Sequence, residues 1–160
     1  MSIFQKKQNG ATLLEMMISL FVMGVGMMGV LGMQTQSMRF NHQAYSYSQA
    51  VFLAQDVLES IRANHVAAAS YQLGLDQNII VTVDCGLPKS NCSESQLKNW
   101  DLANWRDKIA KRLPGGKGAI DVVDSSYTIT IEFDLVRSEN DELGQTAETK
   151  KQIYTLVAGL

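Results

Sequence analysis

Lys6-Lys7-Gln8-Asn9-Gly10-Ala11-Thr12-Leu13-Leu14-Glu15 opens onto an apolar run that lasts to Met33, and reading this stretch decides the fold. The first ten residues are polar and hold two lysines and no acid. From Ala11 to Met33 the only polar side chains are Thr12, Glu15 and Ser19. As a helix, 23 residues at about 1.5 Å each can cross a hydrocarbon layer of about 30 Å. Lysines before the span and none just after it predict a cytoplasmic N-terminus, with the rest of the chain across the membrane.

Three ordinary explanations compete for this run. A secretory signal has a shorter apolar core and a small-residue cleavage site at its far end. A plain membrane anchor and a buried core helix are the others. None accounts for Glu15, because a carboxylate inside a lipid-spanning helix costs several kcal/mol unless it is paired or protonated. A cut between Gly10 and Ala11 supplies a partner. The new α-amine at Ala11 lies four residues before Glu15, on the same helical face, and can pair with Glu15 of its own or a neighbouring chain.

Outward from that stretch the composition changes. All eight methionines lie at or before Met38, and beyond it the sequence reads as a soluble domain. The formal net charge is −2 and no basic patch stands out, which argues against direct binding of nucleic acid. No proline precedes Pro88. Ala50, Leu53, Ala54, Val57, Leu58 and Ile61 recur at helical spacing, with Gln49, Gln55, Asp56, Glu59 and Arg62 on the other face. One helix is therefore expected from about Ala11 to Asn64, apolar in its first half and amphipathic in its second. Gly24, Gly26, Gly29 and Gly32 within it fit close packing of helices or a stretch that can loosen, and both readings stay open.

Lys6 to Glu15 resembles the class III signal of type IV prepilins and type II secretion pseudopilins. That pattern is a basic leader ending in Gly, an apolar residue, Thr, two aliphatics, Glu and a long apolar run. Gly10, Thr12, Leu13, Leu14 and Glu15 match it, and Ala11 stands where the family usually has Phe or Met. The resemblance implies a leader over residues 1–10 with Lys6 and Lys7 as its basic residues, cleavage between Gly10 and Ala11 by a membrane aspartic peptidase, and N-methylation of Ala11. It implies Glu15, with Thr12, as the assembly site. The stretch from Asn41 through Ala44-Tyr45, Leu53-Ala54-Gln55-Asp56 and Arg62-Ala63-Asn64 is similar to the PilV family of type IV pilus modification proteins, which are minor pilins. A Trp-bearing helix closed by Leu113-Pro114-Gly115-Gly116 fits the same family.

In the second half, Asn78 to Asp84 is rich in β-branched residues and reads as a strand. Ser93 or Ser95 can cap a second helix that ends near Leu113, with Leu102, Trp105, Ile109 and Leu113 on one face. Trp100 and Trp105 read as packing residues. Tyr127 to Leu135 alternates strictly, with Tyr127, Ile129, Ile131, Phe133 and Leu135 on one side. Lys151 to Ala158 is a further strand, Ala119 to Val123 a weaker one, and Ser138 to Thr149 an acidic surface loop. Cys85 and Cys92 lie in a turn-rich stretch with Gly86, Pro88, Ser90 and Asn91. Outside the cytoplasm a disulfide is their default reading. A zinc site needs about four ligands, and only His42 and His65 are available to complete it.

The expected fold is α+β and pilin-like: a long N-terminal helix packed on a small antiparallel sheet with a second short helix. The expected organisation is a leader over 1–10, a membrane and assembly half of the helix over 11–33, and a periplasmic domain over 34–160. No phosphate loop, nucleophile elbow or metal-binding histidine pair is present in the sequence, so no enzyme activity, no metal and no cofactor are expected. Asp121/Asp124 and Asp141/Glu142 read as charges on turns. The resemblance implies a minor pilin that initiates, assembles or modifies type IV pili, in motility, attachment or DNA uptake. Its partners would be other minor pilins, the major pilin, the prepilin peptidase and the assembly platform of the inner membrane. It would sit in that membrane before assembly and in the surface pilus after it. The alternatives are a minor pseudopilin of type II secretion and, from another class, a membrane-anchored periplasmic enzyme or binding module.

Overall fold

In the computed structural model, residues 12–87, 90–135 and 150–159 are described. The first element, α1, is a single helix over Leu13–Ala63. It starts where Thr12 supplies a cap and stops one residue before Asn64, close to both expected ends. The chain divides into two units at His42/Gln43. In the first, the described residues from Leu13 onward are all helix and all exposed. This helix is long and apolar enough to cross a membrane.

The second unit has a core of its own. Along α1 the buried residues are Ser46, Ala50, Leu53, Ala54, Val57, Leu58 and Ile61. This is the apolar row that the spacing predicts. A short 3₁₀ turn, Ala68–Ser70, follows. The second helix, α2, covers Glu94–Arg112. Ser93 caps it: its hydroxyl accepts from the Gln96 N–H, and the Gln96 side chain accepts from the Ser93 N–H at 3.0 Å. This reciprocal capping box satisfies two donors that the first turn of a helix leaves without partners.

Three antiparallel strands complete the unit: β1 (Lys117–Val123), β2 (Ser126–Leu135) and β3 (Lys150–Gly159), in the order β1-β2-β3. Asp124 and Ser125 make a two-residue hairpin turn between β1 and β2, with Asp124 at φ 54°. Asp is one of the residues that tolerate this left-handed conformation. The register sets Ile120 opposite Ile129, Ile129 opposite Leu156 and Ile131 opposite Tyr154. Tyr127, Ile129, Ile131 and Phe133 are buried, as alternation requires, and Leu135 at the end of the strand is half-buried. Leu102, Trp105, Ile109 and Leu113 join the same core with the α1 row. Each fully buried side chain of this size contributes about 1.5–3 kcal/mol relative to exposure.

Two expectations are corrected. Asn78 to Asp84 is not a strand. The outer edge of β1 instead meets Leu73, whose N–H and carbonyl both bond to Ile120 at 2.8 Å. The carbonyls around 74–80 are taken up by side chains of α2: Arg106 donates to those of Gly74, Leu75 and Gln77, and Asn99 to that of Ile80. The segment leading into the β-branched run is thus held by helix side chains, and within the run Ile80 meets Asn99 where a strand would need a neighbouring strand. Asp121 lies within β1 and not on a turn, although it is exposed as expected. The acidic loop 138–149 lies outside the described residues.

The Leu113-Pro114-Gly115-Gly116 stop does more than end α2. Gly115 has φ +58°, and a Cβ there would meet the Asp134 carboxylate at 2.1 Å. The Asp134 N–H bonds to Pro114 O at 2.8 Å, tying the stop to β2. Just beyond it, a Cβ on Gly118 would lie 2.5 Å from the ring of Trp105, so β1 approaches α2 closely only because this residue is glycine.

Candidate assembly site

Thr12 and Glu15 are brought together at the head of α1. The Glu15 N–H donates to Thr12 Oγ1 at 3.3 Å, and the Met16 N–H to Thr12 O at 3.3 Å. Thr12 is thus the N-cap and Glu15 the third residue of the first turn. Thr-x-x-Glu is the sequence signature of a capping box. The position has an electrostatic consequence. Unsatisfied N–H groups give the start of a helix partial positive charge, so a carboxylate in the first turn is favoured there by about 0.3–1 kcal/mol. This offsets only part of the cost of placing it in lipid. Gly10, Ala11, Lys6 and Lys7 lie outside the described residues.

Behind this cap the helix offers a large apolar surface. Phe21 is 73% exposed and Met28 75%, and Leu13, Leu14, Leu20 and Met33 are similarly open. A Cβ added at Gly24, Gly26, Gly29 or Gly32 would meet nothing within 4 Å. Contacts among the described residues therefore give no reason for these four glycines. Contiguous exposed apolar surface of this kind marks a membrane or protein contact.

A second group holds the end of α1 in place. The buried Asn64 side chain donates to the Tyr71 hydroxyl at 3.1 Å and to Glu94 O at 2.9 Å. Tyr71 in turn donates to Asp101 Oδ2 at 2.6 Å. Burial raises the pKa of the Asp101 carboxyl from its ordinary value, although the Tyr71 hydrogen bond and Lys108 oppose the shift. Burial, with the bond to Asp101, raises the Tyr71 phenol as well. From the sequence Asn64 reads only as a helix stop. The structure makes it the tie between the end of α1 and the start of α2. Among local signals, only an amide at a helix end could have hinted at this, since its partners lie 7 and 30 residues away.

Both tryptophans pack, as the sequence suggests. Trp105 is buried and its Nε1–H donates to Leu53 O of α1 at 2.8 Å. Trp100 donates to Asp84 Oδ1 at 3.0 Å and lies against Gly86. It anchors the loop closed by the Cys85–Cys92 disulfide, whose Cα atoms are 6.0 Å apart. With the two sulfurs bonded to each other, neither cysteine is left for zinc.

The model of the family described as Type IV pilin Tt1218 matches residues 32–103, and that of the prokaryotic N-terminal methylation motif matches residues 5–31. The two matches abut. The chain is thus similar to type IV pilins over part of its length, and the long helix, second helix and three-stranded sheet form a pilin-like α+β fold. The two matches support a structural, pilin-type role. No curated protein and no solved structure matches the chain.

Proposed function

We propose that this chain is a minor pilin of the PilV type, which initiates, assembles or modifies type IV pili. It is held in the inner membrane by residues 11–33, with its N-terminus in the cytoplasm and its domain in the periplasm. Cleavage between Gly10 and Ala11 removes Lys6 and Lys7 and frees an amine, which is then methylated. Extraction from the membrane strips lipid from α1, and its apolar surface regains cover by packing against other pilins. Glu15 favours this because a neighbouring subunit's amine pairs with it. The partners are the peptidase, the assembly platform, other minor pilins and the major pilin.

The observation that carries this reading is an apolar stretch of helix, exposed from Leu13 to His42, headed by a Thr12–Glu15 cap and overlapped by a methylation motif. A minor pseudopilin of type II secretion shares all three features. The Arg62-Ala63-Asn64 close and the Leu113–Gly116 stop favour the pilus, since both resemble the PilV pattern and both have structural work in this domain. Glu15→Ala tests the mechanism. The variant is expected to be cleaved and folded normally, and to fall at least tenfold in the sheared pilus fraction by immunoblot. Wild-type amounts there would contradict the assigned role of Glu15. Loss of exoprotein secretion, and not of pili, on deletion of the chain would favour the pseudopilin.

A further inference from the structure

The two edges of the sheet are finished differently. The outer edge of β1 meets Leu73, which exchanges two backbone hydrogen bonds with Ile120. β3 is the other edge, and among the described residues its backbone bonds only to β2. Natural sheets blunt such an edge with a short strand, a bulge, proline or charge. β3 uses none of these along its middle. It is 10 residues long and pairs with β2 without interruption from Lys150 to Gly159. From Gln152 to Ala158 it holds no proline and no charged residue.

The two faces of β3 differ as well. Tyr154, Leu156 and Ala158 are half-buried against the core, and the Tyr154 ring meets that of Tyr47 edge-on, with centroids 5.4 Å apart. Lys151, Ile153, Thr155 and Val157 face solvent, with Ile153 58% and Val157 64% exposed. An open strand edge of this kind is completed by another strand. The residue order points to which one. Ile153-Tyr154-Thr155-Leu156-Val157 has the same character read in either direction from Thr155: Thr, a large apolar residue, a β-branched aliphatic. Self-complementarity is what a two-fold contact requires. With two copies antiparallel about Thr155, Ile153 faces Val157 and Thr155 faces its counterpart on the solvent side, while Tyr154 faces Leu156 on the other. Such pairs stabilise opposed strands. Lys151 falls opposite Gly159, so it meets no like charge. Moving the axis by one residue breaks the match: about Tyr154, Val157 faces Lys151, and about Leu156, Ile153 faces Gly159.

We infer that the free edge of β3 docks a second copy of this chain, antiparallel and centred on Thr155, so that the two three-stranded sheets become one. The contact closes on itself and is therefore distinct from the packing that extends a filament. It rests on the sheet alone and stands or falls apart from the minor-pilin reading.

The test uses the full-length chain in native membranes. Cys85 and Cys92 are joined to each other, so an added cysteine is the free thiol. Thr155→Cys is oxidised with copper phenanthroline, and Val123→Cys, exposed on β1, measures chance collisions. Thr155→Cys is expected to give at least tenfold more disulfide-linked dimer than Val123→Cys on non-reducing gels. Ile153→Cys alone should stay near the Val123→Cys level, and should form the mixed dimer when a separately tagged Val157→Cys copy is present. Equal crosslinking at positions 155 and 123 would overturn the inference. So would Ile153→Cys pairing with itself as readily as with Val157→Cys. A second arm combines Ile153→Lys with Val157→Lys, which sets like charges opposite each other. Because both side chains are exposed, the thermal midpoint in detergent is expected to hold. Native mass spectrometry should then show a dimeric parent and a monomeric variant. A monomeric parent, or a variant that stays dimeric, would also overturn the inference.

Discussion

Residues 12–42 and residues 43–159 obey the same helix geometry and solve opposite problems. In the first region the side chains of α1 from Leu13 onward are exposed, and glycines sit where no neighbour among the described residues needs them. In the second, α1 continues with one row of side chains sealed by α2 and the sheet, and Trp105 reaches back to its backbone. Hydrophobic residues therefore mean different things in the two. Those of the second region hold one domain together; those of the first lie exposed in this chain. Substitutions should separate these roles cleanly.

The largest effect is expected from Trp105→Ala. It empties a core position and leaves Leu53 O without its donor, and should cost about 3–5 kcal/mol. Denaturant unfolding of the full chain in detergent, followed by circular dichroism, checks this. A loss below about 1 kcal/mol would mean that α2 does not seal α1 as described. Asn64→Ala comes next. Glu94 O and the Tyr71 hydroxyl would lose a shared donor in a buried place, at about 1–3 kcal/mol in the same measurement.

A smaller effect concerns pH. Burial raises the pKa of Asp101 in the folded state above its unfolded value, so the folded chain holds that proton more tightly. Its contribution to stability is therefore greatest below the ordinary carboxylate range and is lost as pH rises through the folded-state pKa. Asp76, held low chiefly by its hydrogen bond to Lys117, contributes the opposite slope. Asp101→Asn keeps an acceptor for Tyr71 and removes the titration. Thermal midpoints between about pH 4 and pH 7 should then decline less with rising pH than in the parent chain, and Asp76 cancels from the comparison. An equal decline in both would sink this assignment. The smallest effect belongs to the first region. Phe21→Ala should leave the unfolding of the domain within about 0.5 kcal/mol of the parent, because Phe21 is exposed within this chain.

The contrast also explains what could be read from the sequence. Periodicity finds elements whose partners lie on a sheet face or a helix stripe. It therefore located the buried row of α1, the face of α2 with Trp105, and the alternating strand from Tyr127, each within a few residues of its observed bounds. It failed at Asn78–Asp84, where composition indicates a strand but strand formation depends on a neighbour, and the partner seen there is an α2 side chain, Asn99, on the Ile80 carbonyl. The tie from Asn64 to Tyr71, Asp101 and Glu94 was hidden for a related reason, since a single amide carries no period. At the candidate assembly site Thr12 and Glu15 were legible as residues, whereas the local bond between them was not read, although Thr-x-x-Glu carries the signal for it. The role of that pair between chains lies beyond any single-chain pattern.

The most direct measurement is intact-mass and N-terminal peptide analysis of the chain recovered from sheared surface filaments. The expected result is a polypeptide that begins at Ala11 and carries one added methyl group on its amine. A chain that still begins at Met1, or one that has lost the apolar helix altogether, would contradict the central claim.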